Sequence, residues 1–247
     1  MTSRHLEEID KAVHLARRAA VNGRLREPEA LTRFLYRRWW LGRPPVRSLT
    51  GPPPVVPRQR DERAAPPAPW RVWGPRWTEN RTCTGSGLVR VYLACAPHTS
   101  LHAVAAVAAQ AESWEHPWLL SSRALGQAVP SPDATVLYLP ADALDDLHDP
   151  LERLVHEIRP FLAASLPLLT LRIARGVALA QNPHDGTSFG EHRCGILARS
   201  VLDNLHVHHR EVVDRTYSAF VDHRVDPRRP YRELDANWEW ERKARAA

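Results

Sequence analysis

The sequence predicts an α+β fold: an N-terminal helical pair, a Pro-rich strap, then a mixed helix/strand domain with a C-terminal helical section. Three observations predict it. Apolar residues recur at helical spacing near the N-terminus, short alternating runs follow residue 87, and proline is concentrated between the two. At 247 residues the chain is long enough to bury a substantial core. Boundaries are expected at 1–42 for the helical segment, 43–80 for the strap and 81–247 for the main domain.

Ser3 is placed to cap a first helix whose apolar stripe (Leu6, Ile9, Val13, Ala16, Ala20) runs until Gly23. A second helix is expected from Pro28 through Leu31, Leu35 and Trp39 to Gly42, with 36–40 a packing face edged by arginine. Nine prolines between residues 43 and 69 exclude a helix or an interior strand there. Trp70, Trp73 and Trp77 then anchor this linker to the body or to a partner.

Residues 88–95 alternate, Val89, Val91, Leu93 and Cys95 against Arg90, Tyr92 and Ala94, as a half-buried strand does. Thr99 or Ser100 is expected to cap an alanine-rich helix reaching about Gln110. Strands are expected at 117–123 and 134–140, and a helix along Leu151, Leu154, Val155, Ile158 and Leu162, kinked at Pro160. A strand at 168–174 is expected to continue through 177–180. Helices near 189–208 and 212–225 close the domain.

The formal charge is +6, and of 34 basic residues only Lys11 and Lys243 are lysines. Arginine is a permanent cation with a planar fork suited to phosphate and carboxylate, and a poor base at ordinary pH. No zinc-finger or ribonucleoprotein motif accompanies this charge, so nucleic acid is not an expected partner. No apolar run reaches the roughly 18 residues of a membrane span. Three scattered cysteines argue against a disulfide framework, and a reducing cytoplasm is the expected location.

Gly85-Ser86-Gly87 precedes a strand rather than a helix, the wrong order for a phosphate-cradling loop, and reads as a turn. No two of His206, His208 and His209 stand four apart, so no zinc-protease arrangement is present and no metal is expected. They read as a solvated helix end that favours positive charge. Asp203 and Glu211 pair with nearby cations. Ser188 lacks the surrounding glycines of a nucleophile elbow. Richer chemistry lies in 175–194, where a loop (Gln181–Thr187 in this sequence) opens a helix whose first turn carries Ser188, His192 and Arg193. Free amides, the positive helix end and an arginine fork favour an anion, phosphate above all. Ser188 as a simple cap and Arg193 paired to a carboxylate is the alternative.

Residues 175–183, 188–194 (Ser-Phe-Gly-Glu-His-Arg-Cys) and Val225-Asp226-Pro227…Pro230-Tyr231 resemble the HopA-type type III effector family. The resemblance extends back through Arg90-Val91-Tyr92, Pro117-Trp118 and 133–138, so it covers about 88–231. Non-effector members belong to clusters that make class V lanthipeptides and thioamitides, and are similar to phosphothreonine lyases. The resemblance implies a precursor peptide phosphorylated by a companion kinase, from which phosphate is eliminated to leave dehydroalanine or dehydrobutyrine, with no cofactor. Ser121 and Ser122, and Leu171 and Arg172, stand where the family commonly carries lysine, and Ser131 replaces another polar residue. The family's β-rich insertion is shortened to the Pro/Trp-rich segment.

Elimination needs a base for the Cα proton and a clamp for the leaving phosphate. Arg193 and Arg90 form the expected clamp, Tyr92 and Ser188 its surroundings, with Arg123 and Arg172 outside. With no lysine from residue 12 to 242, the base falls to a histidine: His192 first, with His98, His102 or His116 behind it. A catalytically degenerate relative, holding the peptide or a companion kinase, lyase or cyclase, is the second expectation. Both expectations require Arg193 and Arg90 to meet in one pocket.

Overall fold

The computed structural model describes residues 4–22, 25–41, 70–77, 87–123, 132–185, 187–236 and 238. Among these residues six strands form one antiparallel sheet in the order β1-β3-β4-β2-β6-β5. These are β1 (Trp70–Trp73), β2 (Leu88–Leu93), β3 (Leu119–Ser122), β4 (Thr135–Pro140), β5 (Leu171–Ala174) and β6 (Val177–Gln181). The helices are α1 (Arg4–Val21), α2 (Pro28–Leu35), α3 (Ser100–Ala111), α4 (His148–Ile158), α5 (Phe189–Asp203) and α6 (His209–Asp222). The expected α+β class is therefore observed.

β2 is central and buried along its whole length. Its two faces differ in chemistry. Val89, Val91 and Leu93 share one face with Leu137, Leu139, Leu120 and Leu179 by register. Each such buried aliphatic contributes roughly 1.5–3 kcal/mol. Arg90 and Tyr92 point to the other face, with Tyr138, Val136, Ala180 and Ala178 beside them. Ring contacts from Tyr92 to Trp40 and Phe189 put the N-terminal helices and α5 over that polar-aromatic face.

The N-terminal helices belong to the same core. Ile9, Ala12, Val13, Leu31, Leu35 and Trp40 pack in one cluster with β2, α5 and α6. Glu8 accepts a hydrogen bond from the Leu169 backbone at 3.1 Å, tying α1 to the approach to β5. After Leu35 the helix widens into a π turn, Tyr36–Trp40, closed by Leu41 N donating to Tyr36 O at 3.0 Å. Such turns re-aim side chains and recur at functional sites; here Tyr36 and Trp40 stack at 4.9 Å over α5.

Several expectations change. The expected strap, 43–80, is described only at 70–77, and there it includes a strand. Trp70–Trp73 alternates in burial and pairs with β3, so it forms a sheet edge rather than a linker. Residues 168–180 make a hairpin, not one continuous strand. Gly176, at φ 76°, reverses the chain and its amide neighbourhood admits no side chain: an added Cβ would stand 2.4 Å from Ala163 O. Thr99 occupies the N-cap of α3 without capping it; its hydroxyl donates to Phe161 O at 3.0 Å instead. α5 ends at Asp203, and α6 begins at His209. His209 thus sits in a first turn, where the helix dipole disfavours positive charge, and faces Asp10 at 3.1 Å. Glu211 pairs with Arg215 at 2.5 Å, as expected. Ser3, Gly23, Cys83, Gly85, Ser86 and Ser131 lie outside the described residues. No helix among the described residues is long and apolar enough to cross a membrane.

Candidate functional site

α5 starts with a capping box. Ser188 Oγ accepts from the Glu191 amide, and Glu191 Oε2 accepts from the Ser188 amide, both at 3.3 Å. The Ser188 hydroxyl is thereby committed to one loose end of the helix start and the Glu191 carboxylate to another. One turn on, Arg193 is 1% exposed. Its Nε donates to Pro230 O at 2.8 Å, its Nη1 to His192 Nδ1 at 2.5 Å, and its Cζ lies 4.8 Å from the centre of the Phe189 ring. Nη2 has no hydrogen-bond partner. Burial pulls the Arg193 pKa down to about 10, with Glu233, Tyr92 and Asp185 acting against it, so the cation survives at neutral pH.

Arg90 comes from the middle of the sheet. Its Nε donates to Asn182 Oδ1, and its Cζ lies 5.2 Å from the Tyr138 ring centre. Tyr92 stands on the same face and is 1% exposed. Burial drives its phenol far above the ordinary range, opposed by the Arg90 charge, while its hydroxyl makes no hydrogen bond of acceptable geometry. Tyr92 packs on Phe189 at 6.4 Å, the same ring that the Arg193 guanidinium covers, so β2 and the start of α5 share one aromatic contact. Trp40 completes the arrangement: its ring is 6.0 Å from Tyr92 and 6.2 Å from Phe189, and its buried Nε1 is likewise unpartnered. A buried donor without an acceptor costs about 1–3 kcal/mol. The three side chains that carry such donors, Trp40, Tyr92 and Arg193, all pack on Phe189.

The remaining arginines stand apart. Arg123 Nη2 is paired with Asp133 Oδ2 at 2.8 Å, and Tyr36 donates to the same carboxylate oxygen at 2.7 Å. Partial burial disfavours the Arg123 cation, but Asp133 together with Tyr36 and Tyr138 outweighs this and raises its pKa. Arg123 thus locks the π turn to the sheet. Arg172, in register with Ala178, is exposed two strands from Tyr92.

His192 is the expected base. Because Arg193 can only donate, Nδ1 accepts and the neutral ring carries its proton on Nε2, 3.7 Å from Asp185. Burial, then Arg193, pull its pKa down to about 4 against the attraction of Asp185. The folded value lies below the ordinary 6.5, so between these two values the unfolded chain binds more protons. Stability is then full above pH 6.5 and declines as the pH falls toward 4, by up to about 3 kcal/mol. His192→Gln should flatten the fall in melting temperature between pH 7 and 4.5. Parallel pH curves for the two proteins would remove His192 from this account. Of the other histidines, His98 and His102 lie before and on α3, with His102 stacked on Phe161 at 6.0 Å, and His116 faces Asp146 at 3.6 Å. None contacts the arginines.

Several members of the site were not singled out from sequence. Asn182 and His184 lay inside the segment already marked, and Tyr36 and Trp40 in a stretch assigned to packing. Glu233 and the Pro230 carbonyl arrive from the C-terminal segment. That segment is held by Gln181 N donating to Tyr231 O at 2.7 Å and Glu233 N donating to Gln181 Oε1 at 3.1 Å. Among the described residues, one grouping has metal-ligand chemistry, His148, Asp149 and Glu152; it lies at the exposed start of α4 and contributes nothing to this cluster.

The HopA1 effector protein family matches residues 74–232, which takes in β2 to β6, both arginines, the α5 start and the Pro230 latch. The chain belongs to this family. Its fold is similar to that of the effector protein from Pseudomonas syringae pv. syringae strain 61, with a TM-score of 0.54 at 13% identity over 94% of this chain and 99% of that one. The effector protein from Pseudomonas syringae pv. tomato strain DC3000 aligns at a TM-score of 0.46 and 17% identity, over 59% of this chain and 56% of that one. No curated protein matches. The likeness to the strain 61 effector is one of fold.

Proposed function

We propose that this HopA1-family protein eliminates phosphate from phosphoserine or phosphothreonine in a ribosomally made precursor peptide, leaving dehydroalanine or dehydrobutyrine. A companion kinase in the same cytoplasm supplies the phosphorylated peptide. One observation carries the proposal: the Arg193 guanidinium and the Trp40 and Tyr92 rings all pack on Phe189, and Arg193 Nη2, Trp40 Nε1 and the Tyr92 hydroxyl are each buried without a hydrogen-bond partner. Phosphate oxygens are acceptors of the kind these donors lack, and a charge-assisted bond to guanidinium is about twice as strong as a neutral one. In elimination the donors act on the departing phosphate, where charge develops as the Cβ–O bond breaks. His192, neutral near pH 7, accepts from Nη1 and holds the fork in place.

A specific observation favours a second function. Arg193 and Arg90 are 1% and 7% exposed and already spend donors on Pro230, His192 and Asn182. A protein that holds the precursor, or stabilises the kinase or another modification enzyme, needs no phosphate to displace those partners.

Mass spectrometry of phosphorylated precursor incubated with the purified protein separates the two. Conversion with loss of one phosphoric acid per site is the expected result. Tight binding with unchanged mass would overturn the lyase and establish the holding partner.

A further inference from the structure

The proposed elimination requires a proton acceptor with an open lone pair, and His192 has given its own to Arg193. A different histidine next to the same cluster has the opposite arrangement. His184 follows the end of β6 and directs Nε2 to the buried carboxylate of Glu233, whose backbone amide donates a hydrogen bond to Gln181 Oε1. Its side chain is 52% exposed, and among the described residues Nδ1 has no partner. With Nε2–H donated to Glu233, Nδ1 carries the lone pair on a half-exposed ring. A base oriented by a third group through its far nitrogen is the recurring geometry of activated proton transfer. The position suits the clamp as well, since Glu233 acts on the Arg193 cation and His184 acts on His192.

Resting on the lyase reading, we propose that His184 Nδ1 takes the Cα proton of the phosphorylated residue, and that Glu233 is the positioning residue which sets its tautomer. The C–H electron pair becomes the Cα–Cβ π bond, the Cβ–O bond breaks, and phosphate departs with that bond's electrons. One proton moves from Cα to His184 and on to solvent, and one from solvent completes hydrogen phosphate, so protons balance. His192 and Arg193 of α5, His223 at the end of α6, Asp185 of the same loop and Glu233 are the charged and titratable groups around this base.

The test is single-turnover elimination from a phosphorylated precursor across pH 5–9, with peptide binding measured in parallel. His184→Gln, at an exposed position, should lower the rate constant at least about 100-fold while binding changes less than threefold. It should also flatten the decline in rate on the acid side. Imidazole should restore a saturable part of the rate to His184→Gly. Glu233→Gln should lower the rate and shift the acid limb, with folding checked by circular dichroism. Elimination by wild type and His184→Gln at similar rates overturns the role of His184 alone, and so does a folded, inactive His184→Gly that imidazole leaves unchanged. No elimination by wild type overturns the lyase reading and this proposal with it.

Discussion

Arg193→Gln is expected to reduce elimination about 1,000-fold, the loss typical of removing a preorganised donor from a site of developing negative charge. The substitution removes the cation and the fork together, leaving one amide against Phe189. Arg193→Lys separates these contributions. It keeps a charge but presents a point donor that cannot serve Pro230 O, His192 Nδ1 and a phosphate oxygen from one plane. It should recover less than a tenth of the lost rate. Both variants also free the Pro230 carbonyl, so a loss of roughly 1–3 kcal/mol in stability accompanies the change. Rates therefore have to be read well below each melting temperature. Folded Arg193→Gln working within tenfold of wild type would remove the guanidinium from the chemistry.

The second large effect is one of packing. Gly190→Ala should destabilise the protein by about 1–3 kcal/mol, the range for forcing atoms into a filled core. A Cβ at this position would stand 2.7 Å from Trp40 Cε3 and 2.7 Å from Tyr36 Cε2. Alanine is the better helix former by about 1 kcal/mol, so a net loss can only come from overlap. Gly195, also in α5, is the internal control. An added Cβ there meets nothing within 4 Å, and Gly195→Ala should leave stability unchanged or raise it. The Gly190 variant should also loosen the Tyr36–Asp133–Arg123 lock, read as faster hydrogen exchange in the π turn. An unchanged melting temperature for Gly190→Ala would contradict the close seating of α5 on that turn.

Local signals were enough for most elements. β2 and the stripe of α4 follow from periodicity, although β2, expected half-buried, is buried along its whole length because both faces of the sheet are covered. The Ser188 cap was the alternative to an anion site. Where one residue type serves two structures, local signals failed. Gly176 is compatible with a strand interruption or a hairpin, and only pairing with β2 chooses the hairpin. Trp70–Trp73 reads as an anchor beside a proline run, but the open edge of β3 makes it a strand.

The candidate site divides in the same way. By itself the sequence determined the chemical inventory: a phosphate-suited set of arginines, a histidine-bearing helix start and no lysine in the body to act as base. The tertiary structure decided which of these meet. Arg90 and Arg193 are 103 positions apart by their numbers in the sequence, and the contact of Tyr92 with Phe189 sets the strand that carries one against the helix that carries the other. Arg123 was withdrawn from the inventory by Asp133, and His184 was added to it by Glu233. Charge pairing and burial depend on distances across the fold, set by sheet register and helix seating, and no local run of residues encodes them.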